Sequence, residues 1–453
     1  MRFLFGNFVK EPSLLLIMKK VILAGIALLM LSCNQAFQED YNSHLEEEFI
    51  ENGTIPVADA LQVLESFLQD EKTKTSGESN RRIQSVETHY KTVDTQKGTY
   101  RIPQAYIVQY EDAQGFAVLG ANRNVDNIIA VIDKGTIDAQ TLKVSSREGE
   151  SELTRFVEDL IKVGLSDKSG GDRGEGGDGG EGGEGGGIDW EEEDEFDELG
   201  DENGGPVSYY TTRLPMLNFS WGQKNPYNIY CLFPLGLGGP VNTGCSTTAM
   251  AMIMAEKRFP QTMIINGTLI DWSEMTSYYS FYNNNGSDIA REHTALVMGS
   301  IFNLVIPAPA VLDGTLILPL AIKNLMQDFG FENVVKMSGS SLNNNMLTAI
   351  SDMLRDEKPV FISAIPSGYL SHAHSWVIDG AKYASSTYLL HFNWGWNGTC
   401  NGYFSRSCLN ASQGYEYDYD YIYNPCHDYT YNWHFRVITY DIPANPYSLN
   451  VTY

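Results

Sequence analysis

Basic residues are scarce in this sequence: 31 lysines and arginines stand against 57 aspartates and glutamates in 453 residues, a formal net charge of −26. Phosphate contacts need clustered Lys and Arg, so binding of nucleic acid or anionic lipid by bulk electrostatics is excluded. Cysteine is also sparse, with six in all. None stands in a CxxC or in a Cys/His pair at zinc-site spacing, which gives no ground for a metal or cofactor. The apolar run from Val21 to Ser32 is twelve residues, too short to span a bilayer as a lone helix. What the chain does have is 43% hydrophobic and 12% aromatic residues, ample for a core, so disorder throughout is excluded. The length suits two or three domains.

The negative charge is concentrated. Between Asp167 and Glu202 there are 16 acidic and 2 basic residues, and twelve of the eighteen residues from Gly170 to Gly187 are glycine. Such a stretch cannot bury enough apolar surface to offset its ordering entropy, so 167–204 is expected to be a solvated linker open to proteases. Ahead of it, 51–166 reads as a small α+β domain. Leu61, Leu64, Phe67 and Leu68 fall at helical spacing over 58–68, strand-like runs lie at 105–110, 115–120 and 128–133, and 150–163 looks helical. Residues 205–453 form one further domain.

At the N-terminus, Lys19 and Lys20 precede the apolar run, which ends in Leu31-Ser32-Cys33. This is a secretion signal in form. Met18 directly precedes the lysines, which suggests that synthesis begins there. The ending resembles a bacterial lipoprotein box, so 1–33 is expected to be a signal segment cleaved before a lipidated Cys33, with 34–50 as a tether. The mature chain is then exported, to the outer membrane or cell surface as a lipoprotein or else secreted, with the lipid as its sole membrane attachment. In an oxidising compartment Cys231, Cys400, Cys408 and Cys426 allow three disulfide connectivities.

The chemistry gathers in the second domain. Cys245 follows Thr243-Gly244 and opens an unbroken run of Ala, Met and Ile to Glu256, a buried helix with the thiol in its first turn. There the helix dipole favours thiolate. A buried structural cysteine is the competing reading. A thiolate nucleophile needs a base, and the base needs an acceptor that fixes its tautomer. His374 starts an apolar strand 129 residues downstream, and Asn393, followed by Trp394, lies 148 residues downstream. These separations suit the Cys, His, Asn order of papain-type sites. Asn393 can accept the imidazole N–H while Trp394 shields that bond. Gln223, in Trp221-Gly222-Gln223, could donate its side-chain amide to an oxyanion, with the Cys245 backbone N–H as second donor.

These segments, with Asn225 to Asn228, Val377-Ile378-Asp379-Gly380, Asn393-Trp394-Gly395-Trp396 and Gly402-Tyr403-Phe404, resemble the streptopain family of secreted bacterial cysteine peptidases, a branch of the papain-like clan. The resemblance implies an α+β papain-like catalytic domain, with the nucleophile's helix packed on an antiparallel sheet, and hydrolysis of protein or peptide substrates. It implies Cys245 as nucleophile, His374 as general base, Gln223 as oxyanion donor, and Asn393 with Trp394 as support for His374. Residues 51–166 resemble the family's inhibitory pro-domain, seen in 105–108 and 115–126, which implies a zymogen whose own N-terminal domain is its inhibitor until the linker is cut.

There are departures. The family usually has Gly before the histidine, where this chain has Ala373, and His372 is a second imidazole on the same expected face. After Cys245 the family often has a small apolar residue and Ala, where this chain has Ser246, Thr247 and Thr248. His391 reads as a packing or hydrogen-bonding residue, and the tyrosine-alternating 415–423 as an edge strand or hairpin. Two other functions share these features: a catalytically silent binding or inhibitor lipoprotein, which the intact Gln, Cys, His and Asn set argues against, and a Cys-dependent transferase or amidase, which would favour Asp as third member.

Overall fold

The computed structural model describes residues 54–72, 81–95, 98–123, 125–145, 161, 165, 212–232, 240–305, 319–366, 373–384, 387–405 and 431–453. The signal segment, the tether, most of the helix expected at 150–163, the acidic linker, His372, Cys408, Cys426 and the 415–423 stretch lie outside them.

The N-terminal unit comprises helix α1 (Val57–Lys72) and strands β1 (Ile83–Thr95), β2 (Gly98–Tyr110), β3 (Phe116–Gly120), β4 (Ile128–Ile132), β5 (Thr136–Ile137) and β6 (Val144–Ser145). Helix α1 forms where the apolar spacing requires it: Ala60, Leu64 and Phe67 are buried, with Leu61 and Leu68 packed alongside. The second unit opens with α2 (Cys245–Lys257), β7 (Thr262–Ile265), β8 (Thr268–Leu269), α3 (Trp272–Met275) and α4 (Asp288–Leu304). It continues with α5 (Pro319–Asp328), β9 (Glu332–Gly339), α6 (Asn344–Arg355), β10 (Val360–Pro366) and β11 (His374–Ala384). The last elements are β12 (Thr387–Asn393), β13 (Gly402–Ser405), β14 (Tyr431–Asp441) and β15 (Ser448–Val451).

One antiparallel sheet of ten strands runs through both units in the order β1-β2-β3-β4-β13-β12-β11-β10-β14-β9. The join is β4 against β13, where Tyr403 pairs with Val131 and Phe404 with Ala130. The first domain is therefore not a separate body resting on the second, because its sheet is hydrogen-bonded onto the edge strand of the catalytic sheet. Helix α2 is apolar or small on every side, and every residue from Ser246 to Ala255 is buried. A helix with no polar face belongs inside a core, and this one lies against β11 and α4. The expected α+β arrangement, with the helix of the candidate nucleophile on an antiparallel sheet, is the one present. The sheet places the first residue of β11, His374, on the same layer that α2 covers.

Candidate active site

Cys245 is the first residue of α2. The chain reaches it through Gly244 at φ 85, a left-handed turn that a side chain would strain. That turn sets the half-buried thiol at the helix start. Ser375 and Ser246, through main chain and hydroxyl, pull the Cys245 thiol down. Burial nevertheless outweighs these donors and pushes the thiol above its ordinary range.

His374, buried, begins β11 and pairs across the sheet with Ala364. Its Nε2 lies 3.0 Å from the carbonyl oxygen of Trp394. A carbonyl can only accept, so Nε2 carries the proton and Nδ1 is left with the lone pair. Burial drives this imidazole down to about 3, against the opposing pull of the Trp394 carbonyl. Both members of the couple are therefore uncharged at neutral pH. Trp396 is the ring stacked on the imidazole, at 4.4 Å between centroids, while Trp376 and Trp394 lie farther away at 6.0 and 6.2 Å.

The expected support differs in one detail, the acceptor of the imidazole proton. Asn393 does not supply the acceptor seen by the imidazole: its Nδ2 donates to the Phe219 carbonyl at 2.8 Å, and its Oδ1 accepts from the Ser220 hydroxyl at 2.7 Å. Asn393 is the last residue of β12 and is held by the 219–220 segment. The next carbonyl, where the chain leaves the strand, is the one free to turn towards His374. Trp394 contributes this carbonyl and a buried indole that donates to the Cys400 carbonyl at 3.0 Å; the stacking belongs to Trp396.

Gln223 is brought beside the nucleophile by its main chain, since its carbonyl accepts from the Thr243 N–H at 3.0 Å. Its position depends on Gly222. A Cβ there would come within 2.4 Å of Asn397 Nδ2, and Asn397 Oδ1 is fixed by the hydroxyls of Tyr227 at 2.7 Å and Ser280 at 3.0 Å. Gly222→Ala is therefore expected to destabilise the fold by about 1–3 kcal/mol and to lower kcat more than it raises KM, because Gln223 moves with its neighbour. A thermal melt and steady-state kinetics check this, and an alanine variant with wild-type kcat would show that the turn absorbs the methyl.

His391 is a hydrogen-bonding residue of an unexpected kind. Its Nδ1 lies 2.5 Å from Asp379 and its Nε2 3.2 Å from Asp133, which is in the N-terminal unit. Both partners are carboxylates that only accept, so the ring bears two protons and is a cation. Burial would lower it, but the charge of Asp379 and the hydrogen bond from Asp133 prevail and hold it up at about 10. Arg81 completes the group at 3.1 Å from Asp133. Asp133 stands in no motif, so the sequence carries no signal for this pairing. Trp376, Trp396 and Ser375 flank recognised motifs but had no assigned roles. Cys231 and Cys400 are both buried.

Comparison with known proteins finds two family models that match separate stretches of the chain. Residues 221–404 match the model of the Peptidase C10 family, and residues 52–148 match that of the Spi protease inhibitor. The chain is 27% identical over 212 residues to the thiol protease/hemagglutinin PrtT of Porphyromonas gingivalis, covering 42% of this chain and 23% of that protein's length. Among solved structures, a Prevotella intermedia prointerpain A fragment is similar at a TM-score of 0.49 and 17% identity, covering 78% of this chain and 100% of the fragment. Active interpain A from the same organism is similar at 0.39 and 22% identity, covering 52% of this chain and 97% of its own.

Proposed function

We propose, from a catalytic region of the Peptidase C10 family preceded by a Spi-type inhibitor region, that the chain is an exported cysteine endopeptidase made as a zymogen. The observation that carries the mechanism is the His374 Nε2–H bond to the Trp394 carbonyl. It leaves Nδ1 as the proton acceptor on a residue whose successor, Ser375, is hydrogen-bonded at 2.9 Å to Ser246, the successor of Cys245.

The steps follow from this geometry. His374 Nδ1 takes the thiol proton, and the Cys245 thiolate attacks the peptide carbonyl. The Gln223 amide and the Cys245 N–H receive the oxyanion. The imidazolium then protonates the leaving amine, and in its neutral form activates water against the acyl-enzyme. With the N-terminal domain in place, burial holds thiol and imidazole uncharged, so this step awaits its removal. The acidic glycine-rich linker supplies the place to cut. The basic start, apolar run and Cys33 support export and lipid attachment at the cell surface.

A thiol-alkylating epoxide tests the reading. Added to linker-cleaved protein, it is expected to abolish hydrolysis of a casein-type substrate while labelling Cys245 alone, as read from the mass of the modified peptide. Hydrolysis that survives stoichiometric labelling of Cys245 would exclude it as the nucleophile.

A further inference from the structure

We propose that Asn397 is a positioning residue for the oxyanion donor, a pin that fastens the segment bearing Gln223 to the loop that supports His374. The role rests on the oxyanion reading of Gln223 above. Asn397 lies just past the Asn393 to Trp396 motif and had no part assigned to it.

Two stretches run side by side here. Residues 219–222 lead into Gln223, and residues 393–397 leave β12 carrying the Trp394 carbonyl and the Trp396 ring, both of which meet His374. Asn393 holds Phe219 and Ser220, and Asn397 holds the next two residues. Its main-chain N–H donates to the Trp221 carbonyl at 3.1 Å, and its side-chain amide occupies the space that a Cβ on Gly222 would take. Its Oδ1 accepts the hydroxyls of Tyr227 at 2.7 Å and Ser280 at 3.0 Å. Those hydroxyls are themselves oriented, because Tyr227 accepts the Phe281 N–H at 2.9 Å and Ser280 the Tyr282 N–H at 3.1 Å. All three side chains are buried, where such bonds hold their geometry firmly.

The chain therefore meets Asn397 on both sides of Gln223, at 221–222 before it and at Tyr227 after it. An oxyanion donor works only when it is aimed in advance at the place where charge develops, and this grip fixes the segment that aims it. The backbone alone does not require the side chain. Asn397 sits at φ 55, in the left-handed region that asparagine tolerates and glycine takes freely. Glycine would make the turn equally well, but it would remove the oxygen that Tyr227 and Ser280 share and the wall against Gly222.

Two reactions of the one sulfur separate aiming from mere stability. Acylation passes through a tetrahedral oxyanion, whereas alkylation by iodoacetamide displaces iodide at a saturated carbon and forms none. In linker-cleaved protein, Asn397→Gly is expected to lower kcat on a casein-derived peptide by about 10–100-fold, with KM within about threefold and the alkylation rate of Cys245 within about twofold of wild type. The alkylation rate is read from the mass of the Cys245 peptide. Gln223→Ala should show the same split. Ser280→Ala, which removes one of the two hydroxyls, should show it at about three- to tenfold and serves in place of Asn397→Gly if that variant does not fold. Acylation of Cys245 by p-nitrophenyl acetate, followed by release of p-nitrophenolate, needs no peptide site and should fall about tenfold in Asn397→Gly. Wild-type kcat in the folded variant, or acylation and alkylation falling together, would overturn the proposal. A split in Gln223→Ala without one in Asn397→Gly would remove the pin alone, and no split in Gln223→Ala would remove the oxyanion role and the pin with it. A chain that hydrolyses no peptide but shows the split with the ester would refute the peptidase reading and leave the pin standing.

Discussion

Cys245→Ala is expected to remove peptide hydrolysis to the limit of detection in linker-cleaved protein, a fall of about 10⁴–10⁶ in kcat. His374→Ala should come close to it. The reason is that the two groups act as one device. Without the sulfur there is nothing to acylate. Without the Nδ1 lone pair the thiol, which burial holds above its ordinary range in the covered form, loses its proton acceptor. The double variant should therefore be little worse than either single one, since removing the second member of a unit that has already failed costs almost nothing further. Residual turnover would come from the oxyanion donors and substrate binding. Because neither variant can process itself, both must be cut in the linker by added protease before kcat and KM are measured on a casein-derived peptide. Multiplicative losses, or a His374→Ala variant within tenfold of wild type, would place the base elsewhere, and His372 is the residue to replace next.

How far the sequence foretold this site depends on which atoms do the work. Cys245, His374 and Gln223 could be nominated from the sequence because side-chain identity and order carry the roles proposed for them. Helix α2 was legible because its run of Ala, Met and Ile has no breaker and no polar face. The partner of the imidazole was not, because a main-chain carbonyl has no letter in the sequence: Trp394 was named for its ring and serves through its backbone. Asn393 was named as that acceptor because an amide can accept, but the 219–220 segment takes both ends of that amide. Strand β1 escaped for a different reason. It is an edge strand whose residues are largely polar and unsealed on the outer side, so it lacks the continuous apolar run that marked β3 and β4. The fusion of two domains into one sheet was equally silent, since Gly402-Tyr403-Phe404 reads the same whether its outer edge faces water or β4.

That fusion carries the second large expectation, which concerns His391. Replacing it with alanine leaves Asp379, fully buried, with the Leu217 N–H at 3.1 Å in place of a cation. Stranding a buried carboxylate costs about 3–5 kcal/mol, which corresponds to a fall in melting temperature of order 10 °C in the full chain. Asp133→Asn should be milder. Asp133 is 30% exposed, and its loss leaves the imidazolium still neutralised by Asp379, so about 1–2 kcal/mol is at stake. The share that falls on the His391 pair, as against the Arg81 pair within the N-terminal unit, weakens the contact between the domains and makes release of the N-terminal domain easier by at most about 5–30-fold once the linker is cut. The pH dependence has two limbs. The imidazole is raised from its ordinary 6.5 to about 10, so its contribution is complete below 6.5 and fades as the pH climbs to about 10. Burial works to raise Asp133, but the hydrogen bond and charge of His391, with Arg81, hold it below its ordinary 3.8, so its contribution is present above that value and lost in acid. His374, lowered to about 3 by burial, adds to the acid limb, because an unfolded chain takes up its proton from 6.5 downward. Melting temperatures across the pH range should thus describe a dome for wild type. His391→Ala should lose the fall between 6.5 and about 9, keep the one at higher pH that the raised thiols of Cys231 and Cys245 produce, and keep the acid one, which His374 sustains. Gel filtration of the cut Asp133→Asn protein should show more free N-terminal domain than cut wild type does at the same concentration. An unaltered alkaline limb in His391→Ala would mean that the cation between Asp379 and Asp133 does not fasten the domains.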